Sequence, residues 1–231
     1  MTGIAGVQHV ALMTADIKRQ IEFFTDVLGC RLVALFDMQG VPGGIAAFLA
    51  MDDGAHISLI QTPEVKGIAH QIGVTHAGSG SGVSAGGTMQ HLALAVPSRD
   101  ALLAMRDRIR SRGINVIGPV SDGMSLSLYF AGFEHIALKI VWAAKPIEAD
   151  RWIDPEVANR VGIAGDEVER FRSPAPYEGE GGAVPQPDYD PAKPHVALPE
   201  ALYRQILEAS DDVVLAISSY AEPPVPKGSR G

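Results

Sequence analysis

The chain has 231 residues, of which 46% are apolar and 6% aromatic, and its 19 basic and 27 acidic side chains give a net charge of −8. This apolar content suffices for one buried core with an appendage and excludes a globally disordered chain. The acidic balance excludes a surface that neutralises nucleic-acid phosphates. The single cysteine, Cys30, excludes internal disulfides. Since no segment has the pattern of a signal peptide or membrane span, we expect a cytoplasmic protein.

The charge and the prolines lie mainly in the last part of the chain. Residues 1–145 carry 11 basic and 11 acidic side chains and 4 of the 16 prolines, so the net charge of −8 belongs to residues 146–231. Proline at that density blocks regular helices over long stretches. We therefore predict a self-sufficient core followed by an acidic, proline-rich extension.

The first predicted module occupies residues 1–66. Alternating apolar residues at 6–12 predict a strand that carries His9. A helix follows, for which Thr14 or Asp16 can be the N-cap and Gly29 the left-handed stop. Three further strands are predicted at residues 31–36, 44–51 and 55–61.

The second predicted module occupies residues 88–145 and follows a Gly/Ser-rich linker at 67–87. The pair Gln8-His9 returns 82 residues later as Gln90-His91, again within a predicted strand. Ser98 caps the next predicted helix, and three strands follow at 114–117, 125–130 and 135–142. The fold class is therefore α+β, with two βαβββ modules in succession.

The extension at residues 146–231 contains short predicted helices between irregular segments. One begins at Pro155 with Asp154 as its cap, a second covers 166–171, and a third begins at Pro199 and is followed by an apolar run at 213–217. Because these apolar residues need a partner surface, we expect the extension to wrap around the core or a partner subunit.

The doubled module resembles the vicinal oxygen chelate superfamily, which includes glyoxalases, extradiol dioxygenases, epimerases and bleomycin-resistance proteins. The resemblance covers roughly residues 4–145. It rests on the element order, the two Gln-His pairs, the helix end at 27–29 and the hairpin at 128–132. It implies a curved, barrel-like mixed sheet around a pocket, in which a metal commonly chelates two neighbouring substrate oxygens.

In metal-binding members the ligands come from the first and last strand of each module, and the matching positions here are His9, Ser58, His91 and Lys139. Two imidazoles suit a divalent ion such as Fe, Mn, Zn, Ni or Co. Serine and lysine stand where the family has glutamate. His56 shares a strand face with Ser58 and supplies a third candidate ligand, so that His9, His56 and His91 form one possible metal site.

Two alternatives remain open for the same pocket. Lys139 lies among apolar residues, and desolvation would lower its pKa, so it could act as a general base, a Schiff-base nucleophile or, if charged, a counterion. Alternatively, Lys139 extends to solvent, the histidines belong to the core, and the pocket binds without chemistry. Ser58 and Tyr129 are the candidate substrate-binding residues.

The leading interpretation is an enzyme of dioxygenase, lyase or isomerase type. Its substrate would be a small, largely apolar organic molecule with adjacent oxygens, and a divalent metal would stabilise an enolate or catecholate. The alternatives are a metal-free binding or resistance-type protein and a metal-independent pocket that uses Lys139. We expect a small molecule as partner, no nucleic acid or membrane, and a homodimer.

Overall fold

The computed structural model describes residues 4–51, 54–179, 181–219 and 224–225. The chain divides into two compact units, of which one is Ile4–Ser173 and the other contains the residues from Pro174 onward. The first unit holds both β-sheets and five of the α-helices of the described chain. The candidate site therefore lies in this unit.

The first module forms a four-stranded mixed sheet. Its strands are β1 (His9–Met13), β2 (Arg31–Asp37), β3 (Ile45–Ala50) and β4 (His56–Gln61), in the order β1-β4-β3-β2. β1 pairs with β4 in parallel, and the other two pairs are antiparallel. Helix α1 (Ile17–Glu22) continues as a π-helical segment, Phe23–Val27.

The second module repeats this arrangement. Its strands are β5 (Leu92–Ala95), β6 (Ile117–Ser121), β7 (Leu126–Ala131) and β8 (Ala137–Trp142), in the order β5-β8-β7-β6. Helix α2 (Arg99–Ser111) connects β5 to β6. The identical strand order and the parallel pairing of the first and last strand in each sheet confirm the predicted α+β fold of two βαβββ modules.

One apolar core serves both modules. Each helix packs against its own sheet, because the apolar stripe of the helix and one face of the sheet both exclude water. Leu59 and Phe24 of the first module and Leu138 and Leu102 of the second belong to a single buried cluster. Successive side chains of a strand point to opposite faces of the sheet, so the polar candidate residues lie on the face opposite the helices.

The helix caps follow the sequence signals. Asp16 accepts a hydrogen bond from the backbone N–H of Arg19, and Ser98 accepts one from that of Ala101. The side chain of Arg108 in α2 donates to the carbonyls of Val27, Asp26 and Thr25 at the end of the π-helical segment, at 2.9, 2.9 and 3.3 Å. This arginine thereby joins the helical layers of the two modules through carbonyls at the C-terminal end of the first helix.

Within the described residues, five further α-helices follow the second sheet. Helices α3 (Ala149–Trp152), α4 (Pro155–Arg160) and α5 (Gly165–Arg172) belong to the first unit, and α6 (Glu200–Glu208) and α7 (Asp211–Ser218) to the second. Asp154 caps α4 with Pro155 at its first position, as the sequence indicates. None of the described helices is long and apolar enough to cross a membrane.

Several element boundaries differ from the sequence-based expectations, and three of them illustrate the causes. The predicted strand at 114–117 begins only at Ile117, because the N–H groups of Gly113 and Ile114 still bond to carbonyls of α2. β5 begins at Leu92, after a turn in which the Thr88 N–H bonds to the Ala85 carbonyl. The first helix becomes π-helical where the hydroxyl of Thr25 bonds to the carbonyl of Ile21 and competes with the backbone ladder.

Candidate functional site

The second sheet brings three of the predicted site residues together on the face opposite α2. Lys139 of β8 is paired in register with Ala93 of β5 on one side and with Tyr129 of β7 on the other. The Lys139 ammonium lies 5.4 Å from the centre of the Tyr129 ring, and the His91 ring lies 6.1 Å from that centre. His91, Tyr129 and Lys139 thus form one cluster, which we call the Lys139 cluster.

Lys139 is held as an ammonium by an ion pair that sequence reasoning missed. Its Nζ lies 3.1 Å from Oδ2 of Asp122, and its side chain is 12% exposed. Burial lowers the pKa of Lys139, but hydrogen bonds with Asp122 and Tyr129 outweigh burial and the pKa is raised. The expected lowering of this pKa is therefore wrong, because the desolvated lysine has a carboxylate partner.

Asp122 is itself fixed by the turn before β7. Its carboxylate accepts hydrogen bonds from the backbone N–H groups of Met124 and Ser125 at 3.1 and 2.6 Å, and from the Ser125 hydroxyl. Burial would raise the pKa of Asp122, but the bonds from Lys139 and Ser125 prevail and lower it to about 2. The Ser125 hydroxyl also contacts the buried Ser127 hydroxyl at 3.1 Å, which extends the polar network.

The Gln90 side chain determines the tautomer of His91. Its Nε2 donates to the carbonyls of Ser79 and Gly82 at 2.8 and 3.1 Å, so its Oε1 faces Nδ1 of His91 as an acceptor. Nδ1 therefore carries the ring proton. Burial, and secondarily the charge of Lys139, lower the pKa of His91, so the neutral ring presents Nε2 as a lone pair.

The glycine-rich linker contacts the Lys139 cluster. Gly80 approaches the Tyr129 ring so closely that a Cβ at this position would lie 2.6 Å from Cε1 of the ring. Because Gln90 bonds to Ser79 and Gly82, the linker segment is tied to the same residue that orients His91. The linker therefore forms part of the wall around Tyr129.

The other predicted site residues lie on the first sheet. His9 and His56 are paired in register across β1 and β4, and both rings contact Phe48, at centroid distances of 5.6 and 6.3 Å. Ser58 lies on the same face of β4 and is buried, 3% exposed. These residues form a second group, in which Phe48 separates the imidazoles from β2.

The donor set does not fit a metal centre. His9 and His56 contact Phe48, whereas His91 contacts Tyr129, and the part of the chain that the structure describes contains no group of three or more His, Cys, Asp or Glu side chains able to hold a metal ion. The Lys139 ammonium, close enough to His91 to lower its pKa, would repel a dication. Among the described residues, His9, His56 and His91 therefore form no group able to hold a metal ion.

Asp122, Ser125 and Gln90 were missed as functional residues. In the sequence, Asp122-Gly123 has the pattern of an ordinary turn, and no local signal shows that its carboxylate reaches a lysine 17 residues further on. For Gln90 a signal existed, because the Gln-His pair occurs at the same place in both modules. The repeat indicated that glutamine and histidine act together.

Comparison with known protein families gives a match over residues 6–137 to the Glyoxalase/Bleomycin resistance protein/Dioxygenase superfamily. This match covers more than half of the chain. The chain belongs to the Glyoxalase/Bleomycin resistance protein/Dioxygenase superfamily. Membership in this superfamily confirms the family resemblance of the doubled module.

Similar solved structures include further superfamily members, with each of which this chain shares at most 20% identity. A glyoxylase/bleomycin resistance protein/dioxygenase domain from Frankia sp. EAN1pec is 19% identical, over 61% of this chain and 99% of that chain, with a TM-score of 0.48. The antibiotic binding protein TnmS3 from Streptomyces sp. CB03234 is 20% identical, over 62% of this chain and 100% of that chain, with a TM-score of 0.43. The fosfomycin resistance protein FosX from Listeria monocytogenes is 15% identical, over 62% of this chain and 96% of that chain, with a TM-score of 0.45. No curated protein sequence matched.

Proposed function

We propose that the second module binds a small, largely apolar organic molecule with adjacent oxygens and catalyses proton transfer on it without a metal. The observation that carries this proposal is the Lys139–Asp122 ion pair beside a neutral His91. The family resemblance implies a glutamate at the position of Lys139 in metal-binding members. The cluster thus supplies a fixed positive charge and a free imidazole lone pair.

Because Lys139 is charged, it can act as a counterion, which is one of the three roles considered from the sequence. An ammonium is neither a base nor a Schiff-base nucleophile, but it donates up to three hydrogen bonds. Asp122 accepts one of them at 3.1 Å. Lys139 can therefore also donate to a substrate carbonyl, and it would stabilise the negative charge that develops on that oxygen during enolisation.

His91 is the group suited to accept the proton. Its Nε2 lone pair is available because Nδ1–H is directed to Gln90, and its lowered pKa keeps the ring neutral at pH 7. A compound such as an α-hydroxy ketone would place its α-carbon proton near His91, its carbonyl oxygen near Lys139 and its apolar part against Tyr129. Proton removal then gives an enediolate paired with the ammonium.

Deuterium exchange tests this proposal directly. We would incubate the protein with 2-hydroxyacetophenone in D2O and follow the loss of the α-proton by NMR, with and without EDTA. We expect exchange that EDTA leaves unchanged and that Lys139→Met lowers by about tenfold to a hundredfold, since one oxyanion donor is removed. Lys66→Met, which removes an exposed lysine outside the cluster, is the matched control.

The outcomes separate the proposed function from its competitors. Exchange that disappears with EDTA and returns with added metal would contradict the metal-independent mechanism. Saturable binding without exchange would instead support a binding or sequestering protein. One observation favours that second candidate: Asp122 neutralises Lys139, so the pair also suits a neutral ligand that is held and not turned over.

We further propose that the chain forms a homodimer in the cytoplasm. β2 and β6, which are edge strands of the two described sheets, carry exposed apolar side chains that a second copy could cover: Leu32, Val33, Leu35, Ile117 and Val120. The extension remains a candidate for contact with the core or with the second subunit.

A further inference from the structure

A cavity of about 220 Å³ lies where β1, the linker and the segment before β8 meet within the first unit. It is separate from the Lys139 cluster, although Gln90 contributes to its wall and bonds to His91. Its volume equals that of roughly seven water molecules, which suits a ligand of a few non-hydrogen atoms. The wall consists of Ala11, Leu12, Met13, Gln20, Thr75, His76, Ala77, Met89, Gln90, Glu134, Ile136 and Ala137.

Gln20 is the first indication that this cavity holds a ligand. The residue is only 2% exposed, and its Oε1 has no hydrogen-bond partner among the described residues. A buried polar oxygen without a donor is costly, and such groups are paired in almost all native proteins. The oxygen can accept a hydrogen bond from a molecule in the cavity.

Glu134 is the second indication. Its Oε1 accepts a hydrogen bond from the backbone N–H of Ala15 at 2.7 Å, which holds the carboxylate at the cavity. Glu134 and the following His135 both have a left-handed backbone, with φ of 56° and 61°. Residues other than glycine seldom adopt this conformation, and where they do it is often at binding sites.

The remaining walls are uncharged at neutral pH. Burial and the neighbouring imidazoles of His70 and His135 lower the pKa of His76 by more than the Glu134 carboxylate raises it, so its ring is neutral at pH 7. Most other lining residues are apolar, including Met13, Met89 and Ile136. Among the described wall residues Glu134 is therefore the charged one, and both it and Gln20 offer oxygen acceptors.

From this arrangement we infer that the cavity binds a small aliphatic ammonium compound. The ammonium donates hydrogen bonds to Oε1 of Gln20 and to the carboxylate of Glu134, and the alkyl part packs against the methionine and isoleucine side chains. An anion would face the Glu134 carboxylate without a compensating charge, and a purely apolar molecule would leave the Gln20 oxygen without a donor.

The test uses the ¹⁵N-labelled full-length protein and n-butylammonium chloride as the probe at pH 7.5. We expect saturable shifts in the ¹H–¹⁵N signals of the Gln20 side-chain amide and the Ala15 backbone amide. Butan-1-ol should bind at least about tenfold more weakly, and sodium butyrate should not shift these signals. Equal binding of butan-1-ol and n-butylammonium, or no saturable shift with n-butylammonium, would overturn the inference.

A pair of variants tests whether the Glu134 carboxylate binds the ammonium group of the probe. Glu134→Gln keeps an oxygen for the Ala15 N–H and should weaken n-butylammonium binding at least about tenfold. Glu156→Gln removes an exposed carboxylate that does not line the cavity, and it should bind like the wild type. If Glu134→Gln fails to fold, the comparison of the three probes on the wild type still decides. Lys139→Met should leave n-butylammonium binding intact, which separates this site from the proposed function.

Discussion

At the scale of single residues, the chemistry of the site depends on how Lys139 is paired. For a lysine whose side chain is 12% exposed, burial acting alone would lower the pKa. Asp122 reverses this outcome, because the turn that fixes its carboxylate also holds it ionised. Burial, together with the charge of Lys139, lowers the pKa of His91, so the two titratable groups take complementary roles.

The first prediction concerns Asp122 and acid stability. The pKa of Asp122 is about 2 in the folded protein, below its ordinary 3.8, so its stabilising effect is present above about pH 4 and is lost as the pH falls through 2. We expect Asp122→Asn to lower the free energy of unfolding by about 1–2 kcal/mol at pH 7 and by progressively less toward pH 2. Urea unfolding at several pH values measures this difference.

Asp37→Asn is the matched control for that experiment, because Asp37 is an exposed residue on strand β2, outside the Asp122 network. It should leave the free energy of unfolding nearly unchanged. A difference between Asp122→Asn and the wild type that persists undiminished at pH 2 would contradict the assigned ion pair.

The second prediction concerns the protonation of His91. Burial and Lys139 lower its pKa below the ordinary 6.5, so exchange of 2-hydroxyacetophenone should decline only when the pH falls below that value. NMR titration of the His91 ring should give the same midpoint. In Lys139→Met the titration midpoint should move upward, since a repelling charge is removed. A midpoint above 6.5 in the wild type would show that this environment is assigned incorrectly.

At the scale of elements, the linker between the modules is part of the site. The Gly/Ser composition of residues 67–87 indicates a flexible connection. In the structure, part of it is held by Gln90 and contacts Tyr129 through Gly80. A glycine is needed at residue 80 because of this close approach and not because of its backbone angle.

The third prediction follows from that contact. In Gly80→Ala the new Cβ would lie 2.6 Å from the Tyr129 ring, so either the ring or the linker must shift. We expect exchange or ligand binding at the Lys139 cluster to weaken by about fivefold or more, with a small loss of stability. Gly86→Ala is the control, because apart from its two chain neighbours no atom of the described residues lies within 4 Å of the point that its Cβ would occupy. Identical behaviour of the two variants would remove the linker from the site.

The elements themselves were largely predictable from local patterns. Alternation located β3, β4, β7 and β8 to within about two residues, and the caps Asp16, Ser98 and Asp154 were visible as side chains that accept from the helix N-terminus. The start of β6 was misplaced because the end of α2 retains residues 113–114 through backbone bonds. Local alternation of apolar residues does not show how far these backbone bonds extend beyond the helix.

At the scale of the whole molecule, apolar edge strands remain exposed in the single chain. Leu35 of β2 is 50% exposed and Ile117 of β6 is 70% exposed. Apolar side chains on an unpaired strand edge favour association with another strand or chain. We propose that these residues form the contact surface of the homodimer.

The fourth prediction tests that association. We expect sedimentation equilibrium of the wild type to give twice the chain mass, and Leu35→Lys or Ile117→Lys to weaken the dimer by about tenfold or more, because a charge would be buried at the interface. Lys145→Met, which changes an exposed charge outside the two strands, should leave the mass unchanged. A wild-type protein that sediments as a monomer at all concentrations would refute the dimer.

The sequence by itself determined the doubled module, the family, and the residues His91, Tyr129 and Lys139 as site candidates. It could do so because strand alternation, helix caps and an 82-residue repeat are local or periodic signals. The tertiary structure alone decided that Asp122 pairs with Lys139, that Gln90 sets the tautomer of His91, and that His9, His56 and His91 form no group able to hold a metal ion among the described residues. These outcomes depend on distances between residues far apart in the chain, which only packing establishes, and they determine the charge of each group.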